Sequence, residues 1–215
     1  MSNYKATRLK DIEVIDDGRQ PMRPVRTHLG ISAFGVTSWT GAAAGDRIIN
    51  EHDEDDEWKS EELYFVHAGR ASFEIDGERV DAPSGTFVFV RPSATRTAFA
   101  EEPGTSILAI GGTVGQAYEN LGWETFSPLR GLYESKRYDE LIERGRALIE
   151  KHPDSPLLLY NLACCESLTG DKDAAMTHLR SAVKQSDRLR SYAAADSDLD
   201  AIREEPGFEE LVGES

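Results

Sequence analysis

Glu62-Leu63-Tyr64-Phe65-Val66-His67-Ala68-Gly69 runs directly into Arg70-Ala71-Ser72-Phe73-Glu74-Ile75 and then Asp76-Gly77. The first run alternates, so Glu62, Tyr64 and Val66 share one face of a strand and Leu63, Phe65 and His67 the other. Asp-Gly after such a run is a strong two-residue hairpin signal. Working outward, the same period of two recurs in Arg47-Ile48-Ile49-Asn50, Arg79-Val80-Asp81, Thr86 to Val90, Thr95 to Ala100 and Ser106 to Ile110. Pro83-Ser84-Gly85 supplies a further turn. Many short strands at close spacing between Ser38 and Gly112 predict an all-β sandwich or barrel.

Beyond Pro128 the period changes from 2 to 3.6. Arg137 to Lys151 is amphipathic, with Leu141, Ile142, Ala147, Leu148 and Ile149 as its apolar positions. His152-Pro153-Asp154-Ser155 ends that helix, and Ser155-Pro156 opens the next with a cap and a proline in the first turn. Thr169-Gly170-Asp171 is a turn between two more helices, and the glycines from Gly111 to Gly122 mark a linker. Tyr138 and Lys172 lie 34 apart, as do Leu141 and Ala175. With Ala163, Gly170, Leu179 and Ala182, this spacing resembles tetratricopeptide repeats (TPR), helical hairpins of 34 residues. The first unit departs from the pattern at Lys136, which stands at the turn glycine, and at Gly145, which stands at a bulky packing position. Ser197 to Leu211 resembles a terminal capping segment. The fold class expected is therefore multidomain, β then α: a barrel at 1–112 with its N-terminal extension, a linker at 113–127 and TPR-like helical hairpins at 128–215.

Glu62, six residues and Gly69, followed by Gly77 and Pro83-Ser84-Gly85, resemble the first motif and the turns of the cupin family over about residues 35–112. The resemblance implies a double-stranded β-helix barrel with a ligand cavity. In metal-binding members an HxH pair, the glutamate and a later histidine converge there, and imidazole with carboxylate suits Fe, Mn, Ni or Zn. Here His52-Asp53-Glu54 offers HxE, with seven residues between it and Glu62, and Thr97 with Arg96 stands where the later histidine is sought. No metal or other cofactor is favoured; a divalent ion, if bound, would use His52, Glu54 and Glu62. An arginine at the remaining corner repels a cation.

The same residues read well as an organic-ligand site. Arg96 carries a planar donor fork for a carboxylate or phosphate, or for an internal pair with Glu62. Tyr64 and Val66 add an apolar wall with a polar tip on the Glu62 face, and His52 is counted among the ligand-binding residues. The acidic run Glu51 to Glu57 lacks calcium-loop spacing and reads as a solvated loop at the mouth. Trp58 in that loop is read as a lid or as ordinary loop packing. His67 falls on the outer face, and His152 and His178 in the helical half are read as exposed.

Composition narrows the function. Of 215 residues 39% are hydrophobic and 29% charged, as in globular chains. Net charge is −15, with 12 Lys/Arg against 20 Asp/Glu in residues 1–120 and 12 against 19 thereafter. Such a chain is repelled by phosphate backbones and anionic lipid, so neither nucleic acid nor membrane is an expected partner. No apolar run approaches the roughly 18 residues of a membrane span. The polar N-terminus and the adjacent Cys164 and Cys165, read as small buried hydrophobes, make a reducing cytoplasm the expected location. Three readings stay open. One is a non-enzymatic or weakly enzymatic small-molecule-binding or sensing cupin with a degenerate metal site, coupled to a TPR-like domain that binds a protein or peptide. The others are a metal-dependent cupin enzyme of dioxygenase or isomerase type, and a structural adaptor with an empty barrel. A homodimer is implied by the cupin resemblance alone.

Overall fold

The computed structural model describes residues 4–16, 21–55, 59–119 and 121–213. The chain divides into two compact units, Met1–Glu119 and Asn120–Ser215.

In the first unit, β1 (Met22–Arg23) and a short helix α1 (Val25–Leu29) precede β2 (Gly35–Thr40). The remaining strands are β3 (Arg47–His52), β4 (Ser60–Ala68), β5 (Arg70–Ile75), β6 (Glu78–Pro83), β7 (Phe87–Val90), β8 (Arg96–Ala100) and β9 (Ser106–Thr113). They form two antiparallel sheets, in the orders β1-β2-β9-β4-β7 and β3-β8-β5-β6. Each alternating run of the sequence lies in one of β3 to β9. Asp76 and Gly77 both take left-handed φ, at 50° and 81°, as a two-residue hairpin turn requires. The alternating pattern does not single out β2, because beside the buried Val36 it buries the hydroxyl residues Thr37 and Ser38. Ser38 is fully buried, and the Thr40 hydroxyl lies 2.9 Å from that of Ser106 on β9.

The core between the sheets takes Tyr64, Val66, Val88, Val90 and Ile107 from one side and Ile49, Ala71, Phe73, Ala82, Ala98 and Ala100 from the other. The Tyr64 and Phe73 rings meet across the gap with centroids 5.3 Å apart. Small alanines on the second sheet leave room for these aromatic rings, which is how a sandwich reaches interior density. Two-sheet packing of this kind leaves the ends of the sandwich as the places where polar groups can enter.

The second unit is helical. Its elements are α2 (Trp123–Phe126), α3 (Arg130–Glu134), α4 (Tyr138–Ile149), α5 (Pro156–Thr169), α6 (Lys172–Gln185), α7 (Leu189–Ala195) and α8 (Phe208–Gly213), with a 3-10 segment at Ser197–Ile202. Thus α2 forms within the stretch read as linker, because Phe126 buries its ring against Leu129, Leu132 and Leu158. The central helix α5 is apolar on both sides. Leu158, Leu162 and Cys165 pack toward α3 and α4, while Leu159, Tyr160, Ala163 and Cys164 pack toward α6 and the C-terminal segments. Gly145 on α4 permits this closeness, since a Cβ there would lie 2.9 Å from the Leu162 side chain. Asp171 caps α6 by accepting from the Ala174 N–H at 3.3 Å. Lys136 and Gly170, 34 residues apart, both take left-handed φ just before α4 and α6, at 57° and 87°. No helix among the described residues is long and apolar enough to cross a membrane.

Gly69 closes the turn from β4 to β5 with φ +69°, and a Cβ on it would lie 2.6 Å from Thr105 Oγ1 and 2.8 Å from Thr105 Cα. Gly77 has φ +81° and nothing within 4 Å. Alanine at either site meets the left-handed penalty of about 1–2 kcal/mol. Only Gly69→Ala adds the clash, so urea unfolding should show it losing about 1–3 kcal/mol more than Gly77→Ala. Equal losses would show that the Thr105 approach does not set this turn.

Candidate functional site

At one end of the sandwich, side chains from both sheets meet. The backbone pairing fixes which ones. Arg96 on β8 is the cross-strand partner of His52 on β3, and Glu62 on β4 lies between Val90 and Gly111 of its neighbours. Alternation turns Glu62 to the same side as Tyr64 and Val66, which are 1% and 0% exposed.

Glu62 Oε2 is the centre of the cluster. It accepts from Arg96 Nε at 2.9 Å, from Arg96 Nη2 and from the Tyr64 hydroxyl. Arg96 Nη1 donates to the Ala94 carbonyl at 3.1 Å, and the whole arginine is 0% exposed. His52 closes the other side. Its Nδ1 lies 2.7 Å from the Asn50 carbonyl, and its Nε2 is 3.4 Å from Glu62 Oε2 and 3.9 Å from Glu54 Oε1. The side chains of His52, Glu54 and Glu62 are 34%, 28% and 17% exposed, so the cluster grades from a dry floor at Arg96 to a wet rim.

The electrostatics follow from this placement. A carbonyl only accepts, so Nδ1 of His52 carries a hydrogen; neutral imidazole would then turn a lone pair toward two carboxylates. Burial alone lowers the His52 pKa, but Glu62 and the Asn50 carbonyl outweigh it and hold it above its ordinary 6.5. Burial likewise favours a protonated Glu62, yet His52, Arg96 and Tyr64 together hold its carboxyl at about 2. Burial and the Glu62 charge push the Tyr64 phenol up, keeping it a donor. The result is a buried guanidinium paired with the Glu62 carboxylate, with His52, biased toward its protonated form, at the rim beside Glu54.

These contacts bring together His52, Glu54, Glu62, Tyr64 and Arg96. Val66 lies deeper, in the core. Trp58, read as lid or loop packing, lies outside the described residues. Of the two roles read for Arg96, the structure places it in the internal pair with Glu62. His67 stands on the other face of β4, where burial and the Arg23 charge hold its imidazole below the ordinary value.

Ligand atoms of His52, Glu54 and Glu62 lie within 4.8 Å of one another, so the donor types and spacing a divalent ion needs are present. The charge arrangement opposes one. The Glu62 oxygen that faces His52 already accepts three hydrogen bonds, and the guanidinium beside it is fully buried. At about 4 Å and an effective dielectric near 20, like unit charges repel by about 4 kcal/mol, and a divalent ion doubles that. The residues as they stand do not fit a resident metal.

Two clusters in the helical unit were invisible to spacing. Glu166 on α5 is 0% exposed and is held by Arg146 at 2.7 Å and by His178 Nδ1 at 2.6 Å. His178 is therefore 21% exposed at its side chain and hydrogen-bonded, in place of the exposed residue expected; the buried carboxylate draws it in. Asp196 accepts from Tyr160 at 2.8 Å and lies 3.7 Å from Cys164 Sγ, while Tyr133 donates to Asp198. Burial, Asp196 and Asp198 push the Cys164 thiol far up, and burial with Asp198 pushes Cys165 up to about 12, so both stay protonated. This is a partly buried hydrogen-bonded lock between α3, α5 and the 3-10 segment.

Removing one partner of a buried pair strands the other. Glu62→Gln should cost about 3–5 kcal/mol in denaturant unfolding, and Glu62→Leu with Arg96→Met less than Glu62→Gln alone. A double variant that loses more would show that the pair is a net source of stability. The pH dependence has two limbs. Glu62's contribution is complete above 4.5 and is lost as pH falls toward about 2. His52's contribution is complete below 6.5 and is lost as pH rises through its raised value. The stability gap between wild type and His52→Gln should therefore narrow from pH 6 to 9; a gap constant over that range would mean His52 is neutral in the cluster.

No family model matches the chain, and no curated protein matches it. Solved structures do. It is similar to a cupin protein from Bacteroides fragilis, 18% identical, over 55% of this chain and 92% of that one, with a TM-score of 0.43. It is similar to an RmlC-like cupin protein from Desulfovibrio desulfuricans, 22% identical, over 51% and 97%, with a TM-score of 0.42. A predicted oxalate decarboxylase from Thermotoga maritima is 16% identical over 51% and 100%, also with a TM-score of 0.42.

Proposed function

We propose that the β unit is a metal-independent receptor for a small polar organic molecule, received at the His52–Glu54 rim above the Arg96–Glu62–Tyr64 floor. The observation that carries this reading is the gradient of exposure across one cluster. His52 and Glu54 remain open to solvent while Arg96, which orders them through Glu62, is fully enclosed. A floor whose hydrogen bonds are already made does not rearrange when a ligand arrives, which lowers the cost of binding. The floor's own charges are already paired, Arg96 with Glu62, which favours a ligand with no net charge, bearing hydroxyl or amide groups that can bond a carboxylate and an imidazole together.

For the helical unit, the 34-residue repeat of α4 and α6, with matching left-handed residues before each, supports a TPR-like module that engages a protein or peptide. The whole chain on this reading senses a small molecule in one unit and presents a partner surface in the other.

A thermal-shift screen of metabolites, run with a chelator present, tests the receptor. At a ligand concentration of 100 times Kd, binding stabilises the fold by about 2.7 kcal/mol. At least one neutral polar compound should raise the melting temperature of wild type, and His52→Ala or Glu54→Gln should abolish that rise. Shifts that persist undiminished in both variants would place binding elsewhere and sink the proposal. Binding that disappears with the chelator would favour the metal-dependent enzyme, whose donors His52, Glu54 and Glu62 are already within reach of one another.

A further inference from the structure

We propose that Arg96 is the resident cation of the mouth cluster, holding the place of a metal ion and barring one, and that a single exchange at this position would open a divalent-metal site. The inference rests on the cluster's geometry and not on the identity of any ligand.

Three facts carry it. The first is donor spacing. His52 Nε2 lies 3.4 Å from Glu62 Oε2 and 3.9 Å from Glu54 Oε1. Donors bound to one ion at about 2.0–2.2 Å sit no more than about 4.4 Å apart, so these atoms could share an ion with little movement. The second is charge. Without Arg96 the cluster holds two carboxylates and one imidazole, an excess of negative charge that the guanidinium now offsets in part. The third is register. Arg96 and His52 are direct cross-strand partners, and both side chains reach Glu62. Cβ atoms of such partners lie about 4.5–5.5 Å apart. An imidazole at position 96 would stand beside that of His52 and face the same oxygen.

Arg96 thus does for this site the electrostatic work an ion would do. It keeps Glu62 ionised, fixes its orientation and draws the carboxylate toward the floor. It does so with directional N–H donors, including one to the Ala94 carbonyl, that no ion could replace.

Zinc titration calorimetry decides the matter, using wild type, Arg96→His and Arg96→Gln, with His52→Gln added to each as a control. Wild type should show no zinc binding that depends on His52. Arg96→His should bind one zinc at least about 100-fold tighter than wild type, since it removes a like charge and adds a ligand. Arg96→Gln, which only removes the charge, should gain about tenfold or more. Adding His52→Gln should erase both gains. Stoichiometric zinc on wild type that is lost in His52→Gln overturns the proposal, whether or not either variant folds. A folded Arg96→His with no gain overturns it as well. Because these readouts involve metal alone, failure here leaves the organic-ligand reading to stand or fall on its own screen.

Discussion

A guanidinium with no exposed surface must have an anion, and in the β unit that requirement organises everything at the open end. Arg96 reaches Glu62 from the opposite sheet, so the pair ties the two layers where the apolar core runs out. Glu62 in turn collects Tyr64 and His52, and His52 stands against Glu54. A single carboxylate oxygen therefore holds three other side chains directly and a fourth, Glu54, through His52. Burying charges is rarely stabilising in itself, and a well-packed apolar pair often does as well. What the ion pair adds is direction: it dictates which way each group at the mouth points.

The helical unit meets the same constraint with different groups. Glu166 is fully enclosed on α5 and is answered by Arg146 from α4 and His178 from α6. One buried carboxylate thus links three successive helices, while apolar packing on both sides of α5 supplies the bulk of the cohesion. Both units place an acidic side chain inside and surround it with donors from neighbouring elements.

Much of the fold was legible in short-range pattern. Alternation put Glu62, Tyr64 and Val66 on one face, Asp76-Gly77 marked its hairpin, and the change of period after Pro128 marked the helices. Local pattern is enough here because strand faces and turns are set by near neighbours. The site was legible only in part. His52, Glu54, Glu62 and Arg96 could each be picked out, but the sequence left Arg96 between clamping a ligand and pairing with Glu62, 34 residues away. Pairings such as Tyr133 with Asp198, or His178 with Glu166, are made by tertiary packing and leave no periodic trace. Strand β2 escaped notice because two of its three buried residues, Thr37 and Ser38, carry hydroxyls. Lys136, the odd residue at a turn, proved to adopt the same left-handed backbone as Gly170 in the next hairpin.

The two cysteines of the chain are consecutive, both on α5, both buried and both held as thiols. Alkylating reagents attack thiolate at an accessible sulfur. Neither condition is met while α5 is packed, so labelling must wait for the helices to part. The pair is therefore a built-in stopwatch: the rate at which mass is added at Cys164 and Cys165 counts openings of the helical unit, and it is silent about the strands.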